Sequence, residues 1–285
     1  MKITISGTNG YIGQNLVKKL KESGHECILL ERKNLYHIED LTLLLSQIDA
    51  VIHLAGASIL RRWTKNSKTD ILKSRVITTQ NLSKAINLLP ENQRPKIFIS
   101  ASAIGIYAPG SRHTESSQKY STDFIGEVVK QWENSSSELP PTVRRIIFRI
   151  GLVIGKEAKT ITNLLPVFKL GLGGKIGSGK QPFPFVHIQD VIQAILWGLN
   201  HPETNGVYNL VAPKSISNDQ FTRSLAKLLR KPAIFTVPEI TLKFVYGEAA
   251  SLLYQSPEVF PERLIETGFV FKYPDIESGL LEILT

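Results

Sequence analysis

Cysteine is almost absent from the chain: Cys27, inside an apolar run, is the single one in 285 residues. One thiol cannot close an intrachain disulfide, and no Cys/His group stands at zinc-site spacing, so no metal is expected. No apolar run approaches the ~18 residues of a membrane span, and no membrane partner is expected. The opening, Met1-Lys2-Ile3-Thr4-Ile5-Ser6-Gly7, turns glycine-rich too soon for a secretory signal, which points to a cytoplasmic location. There is no internal repeat and no low-complexity tract. Acidic residues are the minority: 25 Asp and Glu against 34 Lys and Arg leave a net charge of +9. Such an excess suits nucleic acid or anionic small molecules. The cations are spread along the chain, with one small cluster at Arg61, Arg62, Lys65 and Lys68. A small-molecule substrate is therefore expected and nucleic acid is not.

Hydrophobic residues make up 42% of the chain, enough for one large domain or a large and a small one. Short apolar runs fall at Ile3–Ser6, Cys27–Leu30, Ala50–Ala55, Ile97–Ser100 and Ile146–Ile150, with a minimal strand at 37–39 between the second and third of these. Helical spacing fills the gaps: Ile12, Leu16, Val17 and Leu20; Leu41–Gln47; one long helix over Lys68–Leu88; and a helix around Val128–Trp132. Continuous apolar strands alternating with helices predict a doubly wound parallel α/β sheet, covered on both faces. After Gly155 the character changes. Pro, Gly and aromatic residues cluster over 166–185, a strand is expected at Gly206–Val211, and helical stretches are expected around 217–230 and 239–254. The expected division is a Rossmann-type domain over 1–155, to which 188–215 returns, and a smaller substrate cap from 156–187 and 216–285.

The most informative segment follows the first strand: Gly7-Thr8-Asn9-Gly10-Tyr11-Ile12-Gly13. A pyrophosphate needs backbone N–H donors at a helix N-terminus with no Cβ in the way. Glycine spacing alone is a weak signal, but a strand precedes this loop, a helix follows, and charged residues close the next strand. That strand ends Leu30-Glu31-Arg32-Lys33. Glu31 would bind an adenosine ribose diol and favour NAD. Arg32 and Lys33 would accept a 2′-phosphate and favour NADP. The pair of cations tilts the reading to NADP, with NAD still open.

Nearly end to end, the chain resembles the NAD(P)-dependent epimerase/dehydratase family. Within it the chain resembles the atypical extended short-chain dehydrogenases of the epimerase-like branch, sometimes mislabelled as cell-division inhibitors. The matching stretches are the glycine loop, Asp49–Gly56, Ser74-Arg75-Val76, Ser100–Tyr107, Arg149–Gly155, Gly171–Gly174, Val186–Asp190, Tyr208–Pro213 and Gly247-Glu248-Ala249. The resemblance implies that Asn9, Tyr11 and Ile12 join the glycines at the cofactor, and that Leu54, Ala55 and Gly56 line its nicotinamide-side ribose and pyrophosphate. It places Ser100 on the cofactor side and Ser102 where the family's Ser or Thr touches substrate. Ile150, Gly151 and Leu152 would border the nicotinamide.

One part of the superfamily pattern is missing. A Tyr-x-x-x-Lys pair normally puts phenol and ammonium on one helix face, where the Lys lowers the Tyr pKa for proton exchange. No tyrosine here has Lys four residues on; the expected Tyr falls at Phe124 and the Lys at Val128. Phe124 and Val128 are expected as an apolar wall beside the nicotinamide. Proton transfer must come from elsewhere, and the candidates are Ser102, Tyr107 and His187, the last by its near-neutral pKa. Asp190 is expected to cap the following helix. Arg75 stands where extended relatives usually have Asn. Gly174–Gln181 imitates a nucleotide-triphosphate loop but has Gln181 where Ser or Thr is needed, followed by Pro182 and Pro184. It reads instead as a mobile loop over substrate, with Lys175 or Lys180 free for an anion. Two functions follow: an oxidoreductase or epimerase-like enzyme acting on a hydroxyl/carbonyl carbon, or a non-catalytic NADP(H) sensor. The sequence leaves substrate and oligomeric state open, a homodimer included.

Overall fold

Five apolar runs and the strand expected at 206–211 form one parallel sheet in the computed structural model, which describes residues 1–285. The strands are β1 (Lys2–Ser6), β2 (Glu26–Leu30), β3 (Ala50–His53), β4 (Ile97–Ala103), β5 (Arg144–Ile150) and β6 (Gly206–Leu210). They lie in the order β2-β1-β3-β4-β5-β6. The principal helices are α1 (Tyr11–Glu22), α2 (Ile38–Leu45), α3 (Lys65–Lys73), α4 (Val76–Leu88), α5 (Phe124–Asn134), α6 (Ile188–Asn200), α7 (Asn218–Leu229), α8 (Glu239–Tyr246) and α9 (Ile276–Leu284). None is long and apolar enough to cross a membrane.

Alternation along the strands covers both faces. Ile52 and Ile99 enter one core with Leu16 and Leu20 of α1 and Val191 and Ile195 of α6. Val51 and Phe98 enter the opposite core with Leu41 of α2 and Leu82 and Ile86 of α4. A separate core holds Phe168, Phe183, Phe185, Phe221, Leu225, Ile276 and Leu280, drawn from the segments expected to form the cap. Leu264, Phe269 and Phe271 are the exception, since they pack into the sheet's own core. The direction of strand addition reverses between β1 and β3: β2 lies to one side of β1 and every later strand to the other. In a parallel sheet of this kind the crevice at the strand C-termini beside that reversal is where a ligand can sit.

Four local expectations are corrected. No strand forms at 37–39, because His37 precedes the first turn of α2 and Ile38 and Glu39 are helical. The single helix over 68–88 is two, α3 and α4. They part at Ser74 and Arg75, where Ser74 Oγ accepts the Ala57 N–H at 3.0 Å and Arg75 departs from helical geometry (φ −112°). The stretch at 239–254 breaks at Gly247 (φ +61°), and the Pro- and Phe-rich tail ends in α9, capped by Asp275 on the Ser278 N–H. Asp190 does not cap α6; His187 does, with Nδ1 accepting the Gln189 N–H at 3.3 Å. The buried Asp190 carboxylate instead accepts the N–H groups of Lys272 (2.7 Å) and Tyr273 (3.1 Å), tying the tail to α6.

His53 closes β3 with its ring fully buried, hydrogen-bonded at Nδ1 to Ser6 Oγ (2.6 Å) and at Nε2 to Thr78 Oγ1 (3.3 Å). Burial first, and the Arg75 cation second, push its pKa down to about 3. The unfolded chain keeps the ordinary histidine value of roughly 6.5. Between those values the unfolded state binds the extra proton, so the stability His53 contributes is present above the unfolded value and lost as pH falls toward 3. Thermal melts from pH 7 to pH 4.5 should therefore show Tm falling less steeply for His53→Gln than for the parent. Equal slopes would reject this.

Candidate active site

At the strand reversal the chain leaving β1 turns through Gly7, whose φ of +76° suits glycine alone. A Cβ there would stand 2.6 Å from the Leu54 carbonyl carbon and 2.7 Å from the Ala55 nitrogen. The turn after β1 and the loop after β3 thus touch backbone to backbone. Gly10 precedes α1 without a side-chain cap, and the first-turn amides of Tyr11, Ile12 and Gly13 point out of the helix end. A Cβ on Gly13 would overlap the Gly7 carbonyl oxygen, whereas one on Gly10 would meet only that oxygen, at 3.2 Å. Gly13 is closed by the fold, and Gly10 lies open to whatever occupies the crevice. That cradle fits a pyrophosphate. Asn9 is exposed beside it, and the Tyr11 ring turns away toward Gly155.

Arg32 and Lys33 follow β2. Arg32 Nη2 lies 2.8 Å from Asp70 Oδ1, and Lys33 Nζ lies 3.0 Å from Glu31 Oε2. Both pairs are exposed, and such pairs contribute no more than about 1 kcal/mol. Either cation can turn to a phosphate. Asp70 also accepts from Arg61 Nη2 at 2.6 Å, so one carboxylate serves two guanidinium groups. These hydrogen bonds hold the Asp70 carboxyl below its usual range.

Beyond the cradle a cavity of ≈160 Å³ opens at the end of β4 and β5. Ala103, Ile125 and the run Ile150, Gly151 and Leu152 line it. Its polar wall is Ser121, Asp123, Ser251, Gln255 and Ser256, and Tyr107 also lines it. Ser251 and Gln255 come from the segment after α8, so one wall is formed by a part of the chain far from β4 and β5 in sequence. Asp123 caps α5, with Oδ1 accepting the Gly126 N–H at 2.7 Å, while its side chain stays exposed. No cation lines the cavity. Sequence reasoning missed Asp123, although an Asp three residues before glycine at a helix start was a readable capping signal.

The hydroxyl groups expected to act on substrate are engaged elsewhere. Ser102 is buried and donates to Glu133 Oε1 at 2.6 Å; it does not line the cavity. Glu133 is held bidentately by Arg149, Nε to Oε1 at 2.8 Å and Nη2 to Oε2 at 2.7 Å, with both side chains buried. Arg149 Nη1 donates to the Tyr107 oxygen at 2.7 Å, and the phenol in turn meets Asn209 Oδ1 at 2.8 Å. Burial raises the Tyr107 pKa against the pull of Arg149. Although burial works to lower the Arg149 pKa, Glu133 outweighs it and the guanidinium stays charged. Removing one partner of such a buried pair typically costs about 3–5 kcal/mol, because it strands the other charge.

His187 is fully buried, 3.1 Å from Glu282 Oε2 and against the Tyr273 ring, and burial lowers its pKa. It faces the cap interior, away from the cavity. Ser100 is buried with its hydroxyl on the Ala101 carbonyl. Phe124 stacks edge-on against Trp63, below Lys68, and Val128 packs with Ile71 and Ile104. The apolar wall of the cavity is therefore Ile125 and Ile104 rather than Phe124 and Val128, because Asp123 sets the start of α5 so that Ile125 faces inward. The loop expected to be mobile at 174–181 is fastened to α7: Ile176 N–H donates to Asn218 Oδ1 (2.8 Å) and Asp219 N–H to the Gly179 carbonyl (2.9 Å).

The family model described as the NAD dependent epimerase/dehydratase family matches residues 3–211, and a domain of unknown function matches 237–283. Among curated proteins, the epimerase family protein SDR39U1 of Bos taurus is 34% identical over the full length of both chains. The crystal structure of the human protein of that name, isoform 2 with NADPH, superposes with a TM-score of 0.93 at 32% identity, covering 99% of each chain. UDP-N-acetylglucosamine 4-epimerase from Bacillus cereus, at 19% identity and a TM-score of 0.78, shares the fold.

The two inner glycines should separate folding from binding. Gly13→Ala should lower Tm, since its Cβ meets backbone. Gly10→Val should melt close to the parent yet lose dinucleotide binding by calorimetry. A Gly10→Val protein that keeps parental affinity would move the pyrophosphate off this loop.

Proposed function

The chain belongs to the NAD dependent epimerase/dehydratase family, and from that premise we propose that it is an NADP(H)-dependent oxidoreductase or epimerase-like enzyme acting on a hydroxyl/carbonyl carbon of a small polar molecule. The observation that carries this reading is the pairing of a glycine cradle at the strand reversal with a polar-walled cavity at the ends of β4 and β5 in the same sheet. In this reading the amides after Gly10 hold the pyrophosphate, Arg32 turns from Asp70 to the 2′-phosphate, and Ile150, Gly151 and Leu152 border the nicotinamide. The cofactor, when bound, supplies the hydride acceptor or donor. The chain's own part is to bind, orient and move a proton. Asp123 is the ionisable group on the cavity wall: one oxygen is occupied by the Gly126 N–H and the other is free to accept a substrate hydroxyl proton. Ser121, Ser251 and Gln255 can orient substrate oxygens. The lack of a cation in the lining favours a neutral polyol-like substrate over the anionic one suggested by the net charge. A sensor would need no such cavity, and this favours the enzyme.

Two measurements test the proposal. The parent should bind NADPH more tightly than NADH, and Arg32→Ala should weaken NADPH by roughly 10–100-fold, the loss of one charge-assisted contact, while leaving NADH unchanged. A parent that prefers NADH would instead make Glu31 the ribose reader. In a metabolite screen followed at the reduced-nicotinamide absorbance band, Asp123→Asn should reduce kcat by roughly 10²–10⁴ on any substrate the parent turns over, with NADPH affinity retained. An unchanged kcat would remove Asp123 from the proton path.

A further inference from the structure

We propose that the face formed by residues 165–176 and 227–246 docks the protein on a membrane surface rich in anionic phospholipid. The contact is peripheral and needs no spanning helix, and it is independent of the dinucleotide reading above.

Apolar exposure comes first. Six large apolar side chains in the whole chain are at least 75% exposed, and four of them lie here: Leu170 (75%), Ile234 (79%), Ile240 (75%) and Phe244 (79%). The two segments run side by side. Gly174–Ile176 pairs in parallel with Phe235–Val237, and the turn at Gly171 lies against Pro232, where a Cβ would stand 3.4 Å from the ring. α8 follows Pro238 at once and buries none of its own residues, with Ile240 and Phe244 four positions apart on one side. Its C-terminal end is nevertheless fixed, because Arg62 donates to the Phe244 and Val245 carbonyls. None of the four side chains lines the substrate cavity. Apolar groups held out on fixed backbone, away from the site, mark an interaction surface.

Charge identifies the partner. The same two segments carry Lys169, Lys175, Lys227, Arg230, Lys231 and Lys243 against a single acid, Glu239. Six cations less one acid leave this face with +5 of the chain's net +9. None of the six cations makes an ion pair, and all but Lys175 are exposed. Lys243 lies over the Tyr254 ring, 5.5 Å from its centre, and has no carboxylate. Glu239 sits in the first turn of α8, where an acid meets the positive end of the helix. Unpaired lysines around protruding Leu, Ile and Phe match the boundary of an anionic bilayer. There the cations meet lipid phosphate and the apolar tips enter the acyl region.

A second copy of the chain fits this face less well. A two-fold interface sets one patch against itself, so the same unpaired cations would meet across it. The apolar side chains also project from the face, and a lipid boundary accepts projecting groups without a complementary shape.

The test is co-sedimentation of the full chain with vesicles, with thermal melts and analytical ultracentrifugation alongside. The parent should pellet with vesicles of equimolar phosphatidylcholine and phosphatidylglycerol, stay in solution with phosphatidylcholine alone, and be released as salt is raised. Phe244→Ser and Leu170→Ser should each weaken vesicle binding roughly 10-fold, the loss of one partly buried apolar side chain. Lys231→Gln and Lys243→Gln should each weaken it about 5-fold. All four should melt with the parent, since each alters an exposed side chain. Should Phe244→Ser lower Tm, Leu170→Ser and Ile240→Ser carry the same comparison. A parent that pellets with neither vesicle, or equally with both, overturns the proposal. Apolar variants that bind as the parent does also overturn it. A dimeric parent that becomes monomeric on Phe244→Ser overturns it in favour of a second copy on this face.

Discussion

The buried pair of Glu133 and Arg149 decides what the rest of this site can do. It joins α5 to β5 across the end of β4, and it draws in Ser102 and Tyr107 as it does so. A desolvated ion pair is tolerated only when its remaining donors and acceptors are satisfied. Here Ser102 fills a carboxylate lone pair, and the Tyr107 oxygen fills a guanidinium donor. Two hydroxyl groups that sequence pattern assigns to chemistry are the groups the ion pair needs for its own solvation. Freeing either for substrate would leave a buried charge short of a partner, so their availability for catalysis is limited by the stability of the pair.

The same logic separates what could be read from the sequence from what could not. The glycine turn, the strands and the helix starts are local properties. Gly7 needs a positive φ, β-runs are continuous because both faces are covered, and α1 follows from a period of 3.6. These features were legible because each depends on residues a few positions apart. Asp190 and His187 were misassigned between capping and binding because both sit within three residues of a helix start, and the choice depends on Lys272, Tyr273 and Glu282, some 80 to 95 positions away. The break at Ser74 was invisible for the same reason. Ser74 bonds an amide 17 residues back, and nothing in the apolar period of 68–88 records that contact.

Charge tells a related story. The net excess of +9 suggested an anionic substrate, but the cations near the site gather along the proposed cofactor path. Arg32 and Arg61 share one carboxylate, Asp70, while the cavity itself has neither of them in its wall. Overall charge cannot distinguish a cofactor's phosphates from a substrate's, because both answer to the same field. Only the placement of each guanidinium on an element separates them.

These constraints together say where proton chemistry can reside. Phe124 and Val128 hold no exchangeable proton, Ser102 and Tyr107 are committed to the ion pair, and His187 caps α6 inside the cap. What remains on the cavity wall is Asp123 with Ser121 at the start of α5, and Ser251, Gln255 and Ser256 from the segment after α8. The elements that carry them share one apolar cluster: Ile125 of α5 and Leu252, next to Ser251, pack with Ile104 and Tyr107. In the proposed reaction, orientation of a substrate oxygen by Ser251 or Gln255 and its deprotonation by Asp123 require the two segments to be in register. A superfamily enzyme with Tyr and Lys on one helix carries that geometry within a single rigid element. Here the polar groups lie on two segments far apart in sequence, and the proposed proton transfer depends on that shared cluster to hold them together.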